Sequence, residues 1–537
     1  LTKSKDEQVF ELYEQLLEIE QRLIPTGLHV FGRPSAATER GDLLKMIASF
    51  DRPETGVRAL PEEFAGEAIA RFLEHGSDAA VAFLEERGIN AGPVFTLLEN
   101  VSTKLETNHE MDALVRALRG EFIEPGPGAD IVQNPDILPT GRNTHAINPY
   151  GVPSAVAFAR GKIVAASLLD RYKQENGRFP EAMALVLWGL DNIKTQGEGV
   201  AQALWLLGVR PVRDALNRAT NVEAIPLEDL GRPRIDVVMT VSGIFRDLFS
   251  PTVHLLDKAV RLVAQLDEPL ELNYVRKHVV EQMTHDDCDA DEAATRVFSN
   301  APGNYGTNVN FMVMDSQWER EETLGDLFVT RKCFAYGRDS KGRTIEGREA
   351  RVAMDRALSR VEATYQNIDT FEIGLTDVDH YFEYLGGISK AVEKRAQARP
   401  SIYLSDSLSR DVKIRSLEET VRLETRAKTL NPKWYEGMLK HGFRGVAEIE
   451  NHVSNTFGWS ATADAVDDWI YSEVANTFVF DESMLERLKE LNPHSAHSLV
   501  RRLLEANGRG YWEIDQEVLE KLQEINRDLE DLLEGVA

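Results

Sequence analysis

Four prolines within the eighteen residues EPGPGADIVQNPDILPTG (Glu124–Gly141) constrain this chain more than any other feature. Proline lacks an amide hydrogen and clashes with the preceding turn, so no helix runs through such a segment. Before it, apolar residues recur at helical spacing in Lys3–Arg22, Phe64–Glu86 and Val94–Leu118. That spacing predicts a mostly helical domain over residues 1–125. After it, Ala184–Trp188 (ALVLW), Arg234–Val241 (RIDVVMTV) and Thr295–Ser299 (TRVFS) each form a short apolar run followed by a polar loop. Two of these loops lead into helical stretches, the first of them Val200–Leu207. The pattern predicts a largely parallel sheet with helical cover over residues 126–400. From about Leu417 helical spacing returns through Glu418–Leu430, Pro432–His441 and Ser483–Asn507, which makes 401–537 a mostly helical C-terminal region. The fold class is α/β: a helical N-terminal segment, a central mostly parallel α/β part and a helical C-terminal part.

Length and charge narrow the function. A chain of 537 residues exceeds what one hydrophobic core supports. The net charge of −27 argues against a nucleic-acid or anionic-membrane surface and for a soluble protein with an acidic exterior. Two cysteines, Cys288 and Cys333, make neither a disulfide framework nor a thiolate metal site, and fit a reducing compartment. No apolar stretch is long enough to span a bilayer. The expected location is cytoplasmic, with peripheral membrane association left open.

The motifs GRNTHAINP, LWGLDNIKTQGE, LGRPRIDVVMTVSGIFRD, EPLELNYVRKH, RVFSNAPGNYGTNVN, LTDVDHYFE, LNPKWYEGMLKHG, GWSATADAVDDWIY and NGRGYWE occur in this order along the chain. In that order they resemble the large (H) subunit family of magnesium chelatase. RKCFAYGRD and VDHYFEYLGGI resemble its bacteriochlorophyll-type branch. The cobaltochelatase large subunit of cobalamin synthesis is a relative and the rival reading. The resemblance implies insertion of Mg²⁺ into protoporphyrin IX, both written as substrates, with ATP hydrolysed by a partner. It implies two partners, an AAA+ ATPase subunit and an integrin-domain-like subunit. It also implies that this chain is the C-terminal part of a longer subunit, inactive alone. The family's His-Gly-Thr-type motif with a following acidic residue is not found; HGS at His75–Ser77 lacks the rest, and Asn148 stands where an Asp is expected. A porphyrin-binding or docking half that needs a separate N-terminal polypeptide is the non-catalytic alternative.

Metal insertion needs a base for two pyrrole protons, an oxygen donor to pass a hard cation, and cations for the propionates. His145, in the proline- and glycine-punctuated run Leu138–Ala155, is a candidate base and transient metal ligand; the alternative is a histidine that structures its own loop. Beside it, Arg142 and Asn143 could bind a propionate, or cap loop carbonyls. After the first strand come Asp191, a candidate catalytic residue and metal ligand, Glu198, a second candidate catalytic residue, and Asn192 and Lys194, candidate substrate-binding residues. Glu198 could instead sit at a helix N-terminus. Arg246, after the second strand, is a candidate substrate-binding residue, or could simply pair with Asp247. In NAPGNYGTNVN, Tyr305 could stack on a macrocycle and Asn304, Asn308 and Asn310 could donate to carboxylates, or the run could be an Asn-Gly turn. Asp377, Asp379 and His380 form a cluster that also fits a helix start. Parallel sheets bind ligands outside the carboxyl ends of their strands, where all three polar loops should sit.

Two near-motifs are set aside. GRDSKGRT (Gly337–Thr344) carries Arg343 where a P-loop needs lysine. DCDADE (Asp287–Glu292) has Glu292 where a calcium loop needs glycine and Phe298 where it needs a bidentate Glu.

Overall fold

The computed structural model describes residues 28–34, 37–50, 52, 56–128, 131–132, 134–145, 148–286, 288–370, 373–406 and 412–536, and single positions 5, 12, 13, 16 and 19. The predicted helix Lys3–Arg22 therefore lies almost wholly outside the described residues.

The helices predicted before the proline-rich break form as α1 (Ala37–Ala48), α2 (Glu62–His75), α3 (Ser77–Glu85), α4 (Gly92–Glu106) and α5 (Glu110–Leu118). They bury Leu44, Ile69, Phe83 and Leu98 in a core of their own. In the break, β1 (Pro125–Pro127) pairs in parallel with β2 (Asn143–His145).

The main sheet is built from β3 (Ala182–Leu187), β6 (Asp236–Val241), β7 (Val297–Ser299), β8 (Phe334–Arg338), β9 (Thr344–Glu349), β10 (Ala363–Ile368), β11 (Ser401–Asp406) and β12 (Lys413–Ser416). Their order is β12-β11-β10-β3-β6-β7-β8-β9. The five strands from β11 to β7 run parallel, and β12, β8 and β9 each pair antiparallel. A separate hairpin joins β4 (Val209–Arg213) to β5 (Ala219–Ala224). The three sequence-predicted strands form as β3, β6 and β7, each starting or ending within two residues of expectation. Strands β11 and β12 carry the sheet past residue 400, and helix resumes at Leu417.

Both faces of the central strands are covered, which is why they read as apolar runs rather than alternating ones. Along β3, Met183, Leu185 and Leu187 join one core, and Ala184 and Val186 the other. The first core is closed by α6 (Ala155–Asn176), α8 (Glu198–Leu207) and α10 (Ser250–Gln265) through Leu168, Leu204 and Leu256. The second is closed by α12 (Glu322–Lys332), α13 (Gly387–Ala396) and the C-terminal helices, among them α15 (Pro432–Leu439) and α16 (Phe443–Ala463), through Phe328, Ile388 and Trp459. The shorter helices α7 (Gly189–Lys194) and α9 (Gly243–Leu248) follow β3 and β6 directly, α11 (Tyr274–Asp286) precedes β7, and α14 (Leu417–Glu424) follows β12.

Close helix contacts depend on missing side chains. A Cβ on Gly445 would lie 1.7 Å from the Met438 carbonyl oxygen, where α15 turns into α16. The obstacle is backbone and cannot swing aside. Gly445→Ala is expected to destabilise the C-terminal region by about 1–3 kcal/mol, the usual cost of overpacking. A urea midpoint equal to the parent's would contradict that packing.

Candidate functional site

Chain order reverses direction in the sheet at one place. From β3 the chain moves outward to β6 and β7, then returns to put β10 on the other side of β3. Loops leaving β3 and β10 therefore diverge, and the crevice between them is where such sheets bind ligands. The β3 loop supplies Trp188, Asp191, Asn192 and Lys194; the end of β10 supplies Gln366, Asn367 and Asp369.

These side chains form neighbouring polar clusters, one of them fully buried around Asp191 and Asn367. Asn367 Nδ2 donates to Asp191 Oδ2 at 3.1 Å, and Gln202 Nε2 donates to Asn367 Oδ1 at 3.1 Å. The Tyr365 hydroxyl reaches the Gln202 and Asn367 side-chain oxygens at 2.9 and 2.7 Å. Lys194 Nζ pairs with Asp369 Oδ2 at 3.0 Å, and the Tyr381 hydroxyl donates to Asp369 Oδ1 at 3.3 Å. Asp191 is 2% exposed, and its Oδ1 has no hydrogen-bond partner. Burial, with the charges of Asp369 and Glu198 adding to it, raises its carboxyl well above the ordinary range. Asp191 is thus a carboxyl that holds its proton where an exposed aspartate would have lost it.

Its neighbours play smaller parts. Asn192 donates to the Trp188 carbonyl at 2.8 Å and accepts from the Val200 amide at 3.2 Å, so its amide closes the loop onto α8. Glu198 opens α8, is buried, and pairs with Arg160 at 3.0 Å. The helix-start alternative describes its position.

The β6 and β7 loops lie on the same edge. Arg246 bonds Asp247 at 2.7 Å, and its guanidinium also donates to the carbonyls of Ala301 and Asn304, each at 3.0 Å. The local ion pair expected as the alternative is present, and the guanidinium ties the two loops together. The backbone of Asn304 thus serves this tie, while its side chain is exposed. Tyr305 donates to Asp247 and lies against Gly243, where a Cβ would stand 2.2 Å from its ring. It is 55% exposed, and Leu190 and Ile244 are similarly open. Gly189 is in turn pressed against Ile244, at 2.6 Å from a would-be Cβ. Leu190, Ile244 and Tyr305 thereby form an apolar rim along the carboxyl edge.

Behind the rim, Glu383 accepts from the Thr307 amide and hydroxyl and from the Asn308 amide, and bonds His380 Nδ1 at 2.7 Å. Glu383 lies in a π-helical turn, Phe382–Gly386, a local irregularity frequent at functional sites. Asn308 has φ +64°, so the turn alternative for this loop holds there. Asn310 donates to Asp379 at 2.7 Å. Lys332 is fully buried, bonds Asn300 Oδ1 at 2.8 Å and sits 3.9 Å from the Tyr384 ring centre. Burial drives its ammonium well below the ordinary lysine range. Asp377 pairs with Lys428 and with His452 Nε2 at 2.8 Å.

The glycine-punctuated loop uses its donors largely on itself. Arg142 Nη2 donates to the carbonyls of Asp136, Ile137 and Leu138 at 2.9, 2.6 and 3.1 Å. The guanidinium is spent on its own loop, which is the capping alternative. The Asn143 amide donates to the Glu124 carbonyl at 2.9 Å, and its side chain is exposed. His145 ends β2 opposite Pro127, and its side chain lies outside the described residues. The tail of the loop does reach the crevice: the Ser154 amide donates to the Gln196 carbonyl at 3.0 Å, and Val152 fills the space beside Gly197. Among the described residues no group of three or more His, Cys, Asp and Glu could hold a metal ion. GRDSKGRT is the turn of the β8–β9 hairpin, with no helix after it, and cannot act as a P-loop. In DCDADE, Asp289 caps a short helix; Asp287 lies outside the described residues.

Sequence reasoning missed Asn367, Asp369, Lys332 and Glu383. Asn367 and Asp369 were hidden because β10 (ATYQNI) is polar though buried at every position.

A family profile described as CobN/Magnesium Chelatase matches residues 2–519. The chain is 44% identical to the chloroplastic magnesium-chelatase subunit ChlH of Oryza sativa subsp. indica, over 98% of this chain and 42% of that one. It is 41% identical to a magnesium-chelatase subunit of Cereibacter sphaeroides, over 98% of this chain and 40% of that one. The catalytic subunit of cobaltochelatase from Mycobacterium tuberculosis superposes with a TM-score of 0.91 at 33% identity, covering 98% of this chain and 47% of that one. The chain thus spans less than half the length of each. No described helix is long and apolar enough to cross a membrane.

Proposed function

The chain belongs to the CobN/Magnesium Chelatase family, and on that premise we propose that it supplies the carboxyl-edge site of a magnesium chelatase large subunit. In this reading the subunit binds protoporphyrin IX and receives Mg²⁺ as second substrate, in bacteriochlorophyll or chlorophyll synthesis. An AAA+ ATPase partner hydrolyses ATP, and an integrin-domain-like partner couples it to this subunit. The observation that carries the reading is identity above 40% to magnesium-chelatase subunits across nearly the whole chain.

The geometry suits the chemistry. A flat apolar macrocycle fits the rim of Leu190, Ile244 and Tyr305, with Trp188 behind it. As the metal enters, two pyrrole protons must leave. Once its own proton has been released, Asp191 is a placed proton acceptor, because a carboxylate whose pKa is raised takes up a proton more readily than an ordinary one. The Asp369–Lys194 pair stands beside it, and Lys194 can turn to a propionate only by giving up Asp369. Arg246 faces the same exchange with Asp247. Glu198, held by Arg160, acts on Asp191 through its charge. Arg142, Asn143 and His145 belong to the loop whose tail packs on the crevice. His145 is the second candidate base and a candidate transient ligand for the incoming metal; Asn192, Asn304 and Asn308 shape the edge.

Cobalt is the second reading, favoured by the close superposition on the cobaltochelatase catalytic subunit. Reconstitution decides between them. The full-length large subunit, with both partners, ATP and protoporphyrin IX, is expected to yield fluorescent Mg-protoporphyrin when given Mg²⁺. Cobalt insertion without magnesium insertion would transfer the assignment to cobaltochelatase. The isolated chain is expected to insert neither metal and to hydrolyse no ATP.

A further inference from the structure

A cavity of about 720 Å³ lies away from the switch-point crevice, between α10, β5 and the turn of the β8–β9 hairpin. That size is typical of pockets for small molecules. Its walls mix apolar surface from Leu255 and Leu262 with the polar groups of Thr220, His254, Lys258 and Arg338.

The charges in it do not balance. Asp257 is buried and accepts from Arg261 Nε at 2.9 Å and from the Arg338 amide at 2.8 Å. Arg261 is also held by Asp291 at 2.6 Å. Asp339 accepts from Arg343 Nε at 2.6 Å and from the Arg343 amide at 2.8 Å. Every carboxylate of the lining is therefore engaged. The Lys258 ammonium and the Arg338 guanidinium have no hydrogen bond or ion pair among the described residues. Two cations without a carboxylate partner, both at exposed positions, line one partly apolar cavity in a chain whose net charge is −27. His254 and Lys258 stand four residues apart on α10, on one face of the helix. Burial lowers the His254 imidazole below its ordinary value, and the charge of Arg338 adds to this against the opposite pull of Asp257 and Glu346. It is a neutral polar group between the two cations.

We infer that this cavity is a binding site for a small ligand with an apolar ring body and an oxyanion head, a carboxylate or a phosphate. The head would meet Lys258 and Arg338, and the body would lie along Leu255 and Leu262. A smaller cavity of about 230 Å³ shares Ser250 and His254 with it and continues to Arg246, Asp247 and Tyr336. The site therefore adjoins the residues that tie the β6 and β7 loops together. It needs no P-loop: the hairpin turn that imitates one in sequence contributes Arg338 and Ser340 to the wall.

Calorimetric titration of the purified chain tests this with 1-naphthyl phosphate, 1-naphthoate and uncharged 1-naphthol. At least one of the two anions is expected to bind at a single site, and naphthol at least about tenfold more weakly, the equivalent of one charge-assisted contact. Binding by only one anion identifies the head group. Lys258→Glu with Arg338→Glu, both at exposed positions, is expected to weaken anion binding by about a hundredfold while leaving the melting curve in place. Lys258→Arg should retain it. Failure of both anions to saturate at millimolar concentration, equal binding of naphthol, or undiminished binding to the charge-reversed variant would each overturn the inference.

Discussion

Asp191→Asn is expected to cut metal insertion by the reconstituted full-length subunit by about 10²–10⁴-fold, the usual worth of a positioned proton acceptor. Porphyrin affinity should stay within about threefold, because the side chain is buried and an amide keeps its shape. Loss of affinity with turnover preserved would make Asp191 a packing residue. A second readout comes from stability. The unfolded chain releases the Asp191 proton near the ordinary value of about 3.9, whereas the folded chain holds it to higher pH. Between those two values the native state binds the extra proton, so this residue's contribution to stability is full below about pH 3.9 and is lost as pH rises through the folded value. The asparagine variant lacks that term. The stability difference between variant and parent should therefore grow in the variant's favour from pH 4 upward. A pH-independent difference would mean that Asp191 ionises normally.

The fold was legible in the sequence where burial is two-sided and apolar. β3 and β6 announce themselves because Val, Leu and Met fill four of the six positions in each, and the proline-rich break separates the N-terminal helices cleanly. β10 was invisible for the opposite reason. Thr364, Gln366 and Asn367 are buried polar residues whose side-chain hydrogen bonds go to other elements, among them to Ser389, Trp188 and Gln202. No local pattern reveals partners that lie between 25 and 178 residues away. The site divides the same way. Asp191 and Lys194 could be singled out because they follow a recognisable strand. Asp369, which pairs with Lys194, and Glu383, which holds the Thr307–Asn308 loop, could not be, because their roles come from the reversal of strand order and from a π-helical turn. Arg142 shows the other side: a loop rich in donors suggested either a ligand or capping of its own carbonyls, and its guanidinium donates to three of those carbonyls.

The opposite end of β6 should respond in the opposite way. Asp236 opens the strand, fully buried, and accepts from Arg296 Nε at 2.9 Å, from Arg296 Nη2 at 3.0 Å and from His278 Nδ1 at 2.9 Å. Burial alone would raise its carboxyl, but the charges of Arg296 and His278 outweigh burial and hold it at about 2. Arg296→Met strands that carboxylate in the core with one of its two partners gone. Breaking such a pair from one side costs about 3–5 kcal/mol, since the remaining charge is left poorly compensated. The sign with pH follows from the depressed value. In the parent, the Asp236 contribution is present above the unfolded value of about 3.9 and is lost as pH falls through about 2. In the variant the carboxyl titrates higher, so the stability deficit should be largest near pH 7 and shrink towards pH 4. Urea midpoints at the two pH values measure this. Turnover per folded molecule should not change, because the cluster lies at the amino end of the strand, opposite the crevice. A deficit below about 1 kcal/mol at pH 7 would show that the pair is no stronger than a surface salt bridge. Lost turnover in fully folded protein would show that the two ends of β6 are coupled.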